Sequence, residues 1–275
     1  MAVILNMFTI TPKLSLLAAG IALLNLSTTA APAVNFGPSD DLVAFDLNFQ
    51  RKAQTTATIP LTQICAFDSE QPLLLKSEKY SGPSIYGGYQ FTTTMSEGSL
   101  SREQIRNHQG RSDAITLQAY SGKSWEGSEL SLHAVFMFKQ EDFNAEYTKG
   151  SFQPESFAAK WGSYFKGSKR DVTGRYLLKI GENYYLSNFS FNATNSGSNI
   201  LPKTTLKTTL WAPYSPKTDL NFDQANANFQ SISLDNVDAV GIYIEDDHWI
   251  ADGSLSSPYV LSITEFKATG LPGDK

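Results

Sequence analysis

The residues best suited to recognition chemistry are aromatic and lie beside carboxylates. Trp211 ends an alternating apolar run, and Tyr214 follows it in a Pro-containing segment. Asp246, Asp247, His248 and Trp249 form a second group, and Trp125 stands next to Glu126. Flat aromatic faces stack on the C–H faces of pyranose rings while neighbouring carboxylates and amides bond the hydroxyls, so these residue types on one rim would make a sugar platform. An indole can equally cap a core, because Trp is highly buried on average. Trp211, Tyr214, Asp246, Asp247 and Trp249 are therefore the ligand-binding candidates, on the condition that their two segments share one end of the fold.

Asp40, Asp41, Asp46 and Glu265 could offer hard oxygen donors to Ca²⁺, which takes roughly six to eight of them. Asp41, Asp46 and Glu265 are the candidate metal ligands, although solvated turn chemistry explains the aspartates without any ion. No EF-hand spacing is present and no cofactor is required. Glu265 would share the face of Leu261 and Ile263 unless the strand is bulged near Thr264-Glu265, and a buried carboxylate demands a partner.

Catalytic signatures are missing. The chain contains neither a Gly-x-Ser-x-Gly elbow nor a His-Glu-x-x-His helix motif, and His108, His133 and His248 are scattered. His133 alternates with apolar residues and reads as a surface residue. A glycosidase needs only two suitably spaced carboxylates among the 27 acidic residues. A polysaccharide lyase on a jelly roll would want Tyr, His and Arg on a concave sheet, and Arg102, Arg106, His108 and Arg111 are the one dense basic group. Nothing else converges, so the balance leans away from an enzyme.

These candidates must be held by strands. In Ser233–Thr269, Val240, Ile242 and Ile244 alternate with Gly241, Tyr243 and Glu245, which is a period of two. Glu245-Asp246-Asp247 should stop that strand, leaving a polar aromatic loop before Tyr259, Leu261 and Ile263 resume the alternation. Leu130, Leu132, Ala134, Phe136 and Phe138 make the longest alternating run and predict a central strand. Val172 to Phe191 reads as a hairpin turning at Gly181-Glu182-Asn183. Val43 to Phe49, Thr55 to Ile59, Leu73 to Lys76, Tyr89 to Thr94, Ile115 to Ala119 and Leu206 to Leu210 are further strand candidates. Short helices are expected over Ser101–Asn107 and within Gln153–Lys166, where Phe157, Trp161 and Phe165 recur every fourth residue.

The totals agree with an all-β chain. Of 275 residues, 12 are Tyr and 17 Phe, and only 18% are charged. A net charge of −5 argues against nucleic acid. Leu14 to Leu26 is an uncharged apolar run followed by Ala31-Pro32-Ala33, the pattern of a secretory signal peptide cut after Ala33. Residues 34–275 then form a single domain, with no membrane span in the mature protein. Cys65 is the only cysteine, so no internal disulfide can form.

Asp113–Phe143, Gly174–Phe191 and Ser233–Trp249 together resemble exported bacterial jelly-roll proteins with a galactose-binding-like or carbohydrate-binding-module-like domain. That resemblance implies a lectin-like sandwich of about ten to twelve antiparallel strands, with a structural Ca²⁺ as an option. The expected protein is secreted, periplasmic or displayed at the cell surface, non-catalytic, and directed to a polysaccharide or cell-surface glycan. The alternatives are a glycoside hydrolase or lyase on the same scaffold, and a structural or adhesive envelope protein with no small ligand.

Overall fold

The computed structural model describes residues 33–36, 54–56, 61–72, 84–93, 103–108, 111–120, 129–139, 152–164, 171–217, 219–250 and 258–272. These carry fourteen strands and one short helix: β1 (Ala33–Phe36), β2 (Gln54–Thr56), β3 (Leu61–Asp68), β4 (Tyr86–Thr93), β5 (Glu103–His108), β6 (Arg111–Tyr120), β7 (Glu129–Lys139), β8 (Phe152–Tyr164), β9 (Val172–Ile180), β10 (Asn183–Asn192), β11 (Gly197–Leu201), α1 (Lys203–Leu206), β12 (Trp211–Tyr214), β13 (Ala239–Ile250) and β14 (Pro258–Pro272). All pairings are antiparallel. One sheet runs β11-β8-β14-β6-β5, with β1 also on β14, and the other runs β12-β10-β9-β13-β7-β4-β3-β2. The chain is an all-β sandwich. Among the described residues no helix is long and apolar enough to cross a membrane.

Alternation builds the core. Leu132, Ala134, Phe136 and Phe138 of β7, Tyr176 and Leu178 of β9, and Val240, Ile242 and Ile244 of β13 all face Phe157, Ala159 and Trp161 of β8 and Leu261, Ile263 and Phe266 of β14. Aromatic rings bridge the sheets. Phe138 stacks on Phe266 at 5.0 Å between centroids, Phe157 on Tyr176 at 5.1 Å, and Trp161 on Phe191 at 4.7 Å. As expected, β7 lies inside its sheet, between β13 and β4. The β9–β10 hairpin turns at Gly181, whose φ of 56° suits glycine. Gly87 in β4 is the tighter constraint, because a Cβ there would lie 1.9 Å from the Val135 carbonyl oxygen.

Several elements differ from the expectation. Gln153–Lys166 is not helical, since β8 occupies Phe152–Tyr164. A spacing of four is even, so it satisfies the strand period as well as the helical one, and Phe157, Ala159 and Trp161 all point inward. Ser101–Asn107 is largely strand β5, paired from Glu103 opposite Ala119 to Arg106 opposite Thr116, so sheet pairing overrides its local preference. Leu206–Leu210 is no strand either. Pro202 opens α1 by accepting from the Leu206 N–H, and Leu206 drops into the core. The stop expected at Glu245 does not occur, because β13 continues to Ile250 against β7. The foreseen slip is present, with the β14–β8 register shifting between Ile263 and Glu265. The expected strands at 43–49 and 73–76 and the leader before Ala33 lie outside the described residues.

Candidate functional site

The eight-stranded sheet has a second populated face. Opposite the core, β7 presents His133, Val135, Met137 and Lys139; β9 presents Arg175, Leu177 and Lys179; β13 presents Ala239, Tyr243 and Glu245; and β4 presents Tyr86 and Gln90. An outer face of this kind is ordinarily solvated. Here the chain that leaves β12 comes back across it as a strap. The Leu220 N–H donates to Gln90 Oε1 at 3.0 Å, the Phe222 N–H donates to the Tyr243 hydroxyl at 3.1 Å, and Arg175 Nη2 donates to Gln224 Oε1 at 2.5 Å. The strap thus crosses β4, β13 and β9 in turn, and returns to pair Gln230 with Trp211. Leu220 and Phe222 seal it against Tyr86, Val135, Met137, Leu177 and Tyr243.

Titratable groups are consequently trapped under the strap. His133 is buried, which corrects its surface assignment, and its Nδ1 lies 3.0 Å from the Tyr243 hydroxyl. Burial, reinforced by the charge of Glu245, pushes Tyr243 far above its ordinary pKa. Burial likewise raises Tyr214, whose hydroxyl donates to the Leu220 carbonyl at 2.9 Å. Burial lowers Arg175 from its ordinary value, and Glu245 acts in the opposite sense. The Arg175 side chain is 1% exposed. Its Nη1 donates to the Ser187 carbonyl at 3.0 Å at the β10 bulge, Phe222 lies 5.6 Å from the guanidinium carbon, and among the described residues Nε has no hydrogen-bond partner.

A turn covers the other end of this face. Asp68 Oδ1 accepts from the N–H groups of Glu70 and Gln71 at 2.7 and 2.8 Å, an Asx arrangement that closes residues 68–71. Phe67 meets Tyr184 edge-on at 5.2 Å. Glu70 pairs with Lys139 at 3.0 Å, and the Lys139 ammonium sits 4.5 Å over the Tyr86 ring.

An open recess lies beside α1, at the end of the six-stranded sheet. This cleft of about 300 Å³ is lined by Gln153, Pro154, Glu155, Lys203, Leu206, Lys207, Leu234 and Leu271. Its geometry follows from a bulge: the β8–β14 register shifts where Ser156 faces Thr269 and Pro154 faces Gly270, leaving Glu155 as the extra residue. Glu155 is ion-paired with Lys203 of α1. Gln153 Nε2 donates to Asp235 Oδ1 at 2.8 Å. Leu271 is 44% exposed, and with Pro154, Leu206 and Leu234 it gives the cleft an apolar wall.

The residues singled out in the sequence are dispersed. Trp211 is 1% exposed in the inter-sheet core, so its ring offers no face to a ligand. Tyr214 lies under the strap on the outer face. Asp246 is buried, while Asp247 and Trp249 belong to β13 with side chains outside the described residues. The register aligns Tyr214 with Tyr184, Lys179 and Ala239, and Asp246 with Val172. Seven residues of extended chain separate those levels, about 23 Å at the strand rise. Tyr214 and Asp246 therefore sit toward opposite ends of the sheet. Asp41 and Asp46 lie outside the described residues, and Glu265 is half-buried opposite Lys160. Arg175, Gln224, Gln153, Glu155 and Lys203 escaped sequence reasoning. Arg175 alternates with core residues as any solvated charge would, and only the strap makes it buried.

No family model and no curated protein matches the chain. Among solved structures, the family 11 carbohydrate-binding module from Clostridium thermocellum, in complex with a β-1,3-1,4-mixed-linked tetrasaccharide, is similar over 69% of this chain and 89% of that chain, with 10% identity and a TM-score of 0.30.

Proposed function

We propose that this chain is an exported, non-catalytic β-sandwich that binds a polysaccharide or cell-surface glycan in the cleft beside α1. The observation that carries the reading is the composition of that recess. Pro154, Leu206, Leu234 and Leu271 line it together with an amide, a carboxylate and two ammonium groups. A few convergent polar groups on an apolar surface are the usual build of a small-ligand site. The aliphatic wall would take the C–H face of a sugar, and Gln153, Glu155, Lys203 and Lys207 would bond its hydroxyls.

The rival reading, a polysaccharide-active enzyme, has one observation in its favour. Arg175, Tyr243, His133, Glu245 and Gln90 share a single sheet face. With Tyr243 and His133 at 0% and 4% exposure, the strap withholds the groups that would serve as acid or base from a polymer. A glycan array of the parent protein, combined with an assay for reducing ends and unsaturated products, separates the readings. Glycan retention without turnover is the expected result. Product release would establish the enzyme, and an empty array would leave a structural envelope protein.

A further inference from the structure

We infer that the Nε/Nη2 edge of Arg175 is a built receptor for a carboxylate, closed in this structure by the amide of Gln224. The site is separate from the cleft beside α1. A guanidinium presents carboxylates with two parallel donors along one edge, and a bidentate pair is its strongest ordinary contact. Arg175 is held as such a receptor would be. Nη1 is committed to the Ser187 carbonyl at 3.0 Å and reaches the Asn188 carbonyl at 3.5 Å. Phe222 lies against the guanidinium at 5.6 Å. The group is therefore fixed in place from one side while the Nε/Nη2 edge remains.

That edge is incompletely used. Among the described residues Nε has no partner, and Nη2 has only the neutral Gln224 oxygen at 2.5 Å. Among the described residues the direct acceptors are carbonyl or amide oxygens, although a buried charge is ordinarily paired with an opposite one. The acid whose charge acts on it is Glu245, which does so through space. Gln224 itself is an exposed residue in a short 3-10 turn. Rotation of this one side chain would uncover the fork while Leu220 and Phe222 stay packed. A carboxylate of matching size would then replace one amide oxygen with two charged ones. The carboxylate of a uronic acid in an acidic glycan and that of a free organic acid share this chemistry.

Three variants of the full chain test the assignment by calorimetric titration with trigalacturonate, its methyl ester and acetate. Gln224→Ala should tighten trigalacturonate binding about tenfold, because the competing amide is gone. Gln224→Glu should abolish it, because an internal carboxylate fills the fork, and should raise the melting temperature. Arg175→Lys should also abolish it, and its circular dichroism spectrum reports whether the fold survives. The methyl ester should not bind at this site. Competition by acetate as strong as by the trimer would assign the fork to free carboxylates, and competition by the trimer alone to an acidic glycan. Trigalacturonate binding unchanged by Gln224→Glu, equal binding of the ester, or no binding by Gln224→Ala overturns the inference. Neutral glycan binding in the cleft should be indifferent to Gln224, so the two claims fail separately.

Discussion

Tyr243 accepts the Phe222 N–H at 3.1 Å while its hydroxyl oxygen lies 3.0 Å from His133 Nδ1, so a single phenol ties the strap to β13 and β7 at once. This contact explains why a face that alternation marks as solvent-side is closed. It also makes the strap part of the folded structure, since its polar anchors are side chains of the sheet.

Removing that hydroxyl should be felt. Tyr243→Phe leaves a buried N–H and a buried imidazole nitrogen short of a partner, and the loss should be about 1–3 kcal/mol in chemical denaturation. Phe222→Ala deletes the ring packed against Tyr214, Phe229 and Tyr243 and should cost about 3–5 kcal/mol. A Phe222→Ala protein as stable as the parent would show that the strap is not a structural cover.

Three buried tyrosines, Tyr176, Tyr214 and Tyr243, are held above their ordinary pKa chiefly by desolvation. Each is protonated in the folded chain at a pH where the unfolded chain would ionise. The resulting stability is complete below the unfolded value of about 10 and falls as pH climbs beyond it. An ultraviolet titration should therefore show these three, of the 12 tyrosines, ionising only together with alkaline unfolding. Smooth ionisation of every tyrosine near pH 10, with the fold retained, would contradict the buried face.

Much of the sandwich was legible from period-two alternation alone: the central β7, the β9–β10 hairpin, the inward face of β13 and the slip before Glu265. The failures share a cause. Phe157 and Trp161 obey both periods, so local spacing cannot choose between helix and strand. The three acids at 245–247 argued for a strand end, yet Glu245 faces the covered side and Asp246 is enclosed. The site was less legible. Trp211 is chemically suited to stacking, but its parity directs it into the core. Arg175 and His133 look solvated until a strap distant in sequence crosses them, and no periodicity encodes where a loop will lie.

Gly87→Ala offers a stringent test of the β4–β7 junction. The added methyl would meet the Val135 oxygen at 1.9 Å in a backbone at φ 138°, so the variant should lose several kcal/mol, about 3 or more, or fail to fold. A melting temperature equal to the parent's would refute the close approach of those strands.

The glycan-binding claim stands or falls on the cleft beside α1. Titration of the strongest array glycan into the parent, Leu271→Asp and Glu155→Gln tests it most directly. Both residues are partly exposed, so the variants should fold like the parent. Each should weaken binding about tenfold or more, equivalent to roughly 1.4 kcal/mol. Affinity unchanged in both variants would contradict the assignment of this cleft.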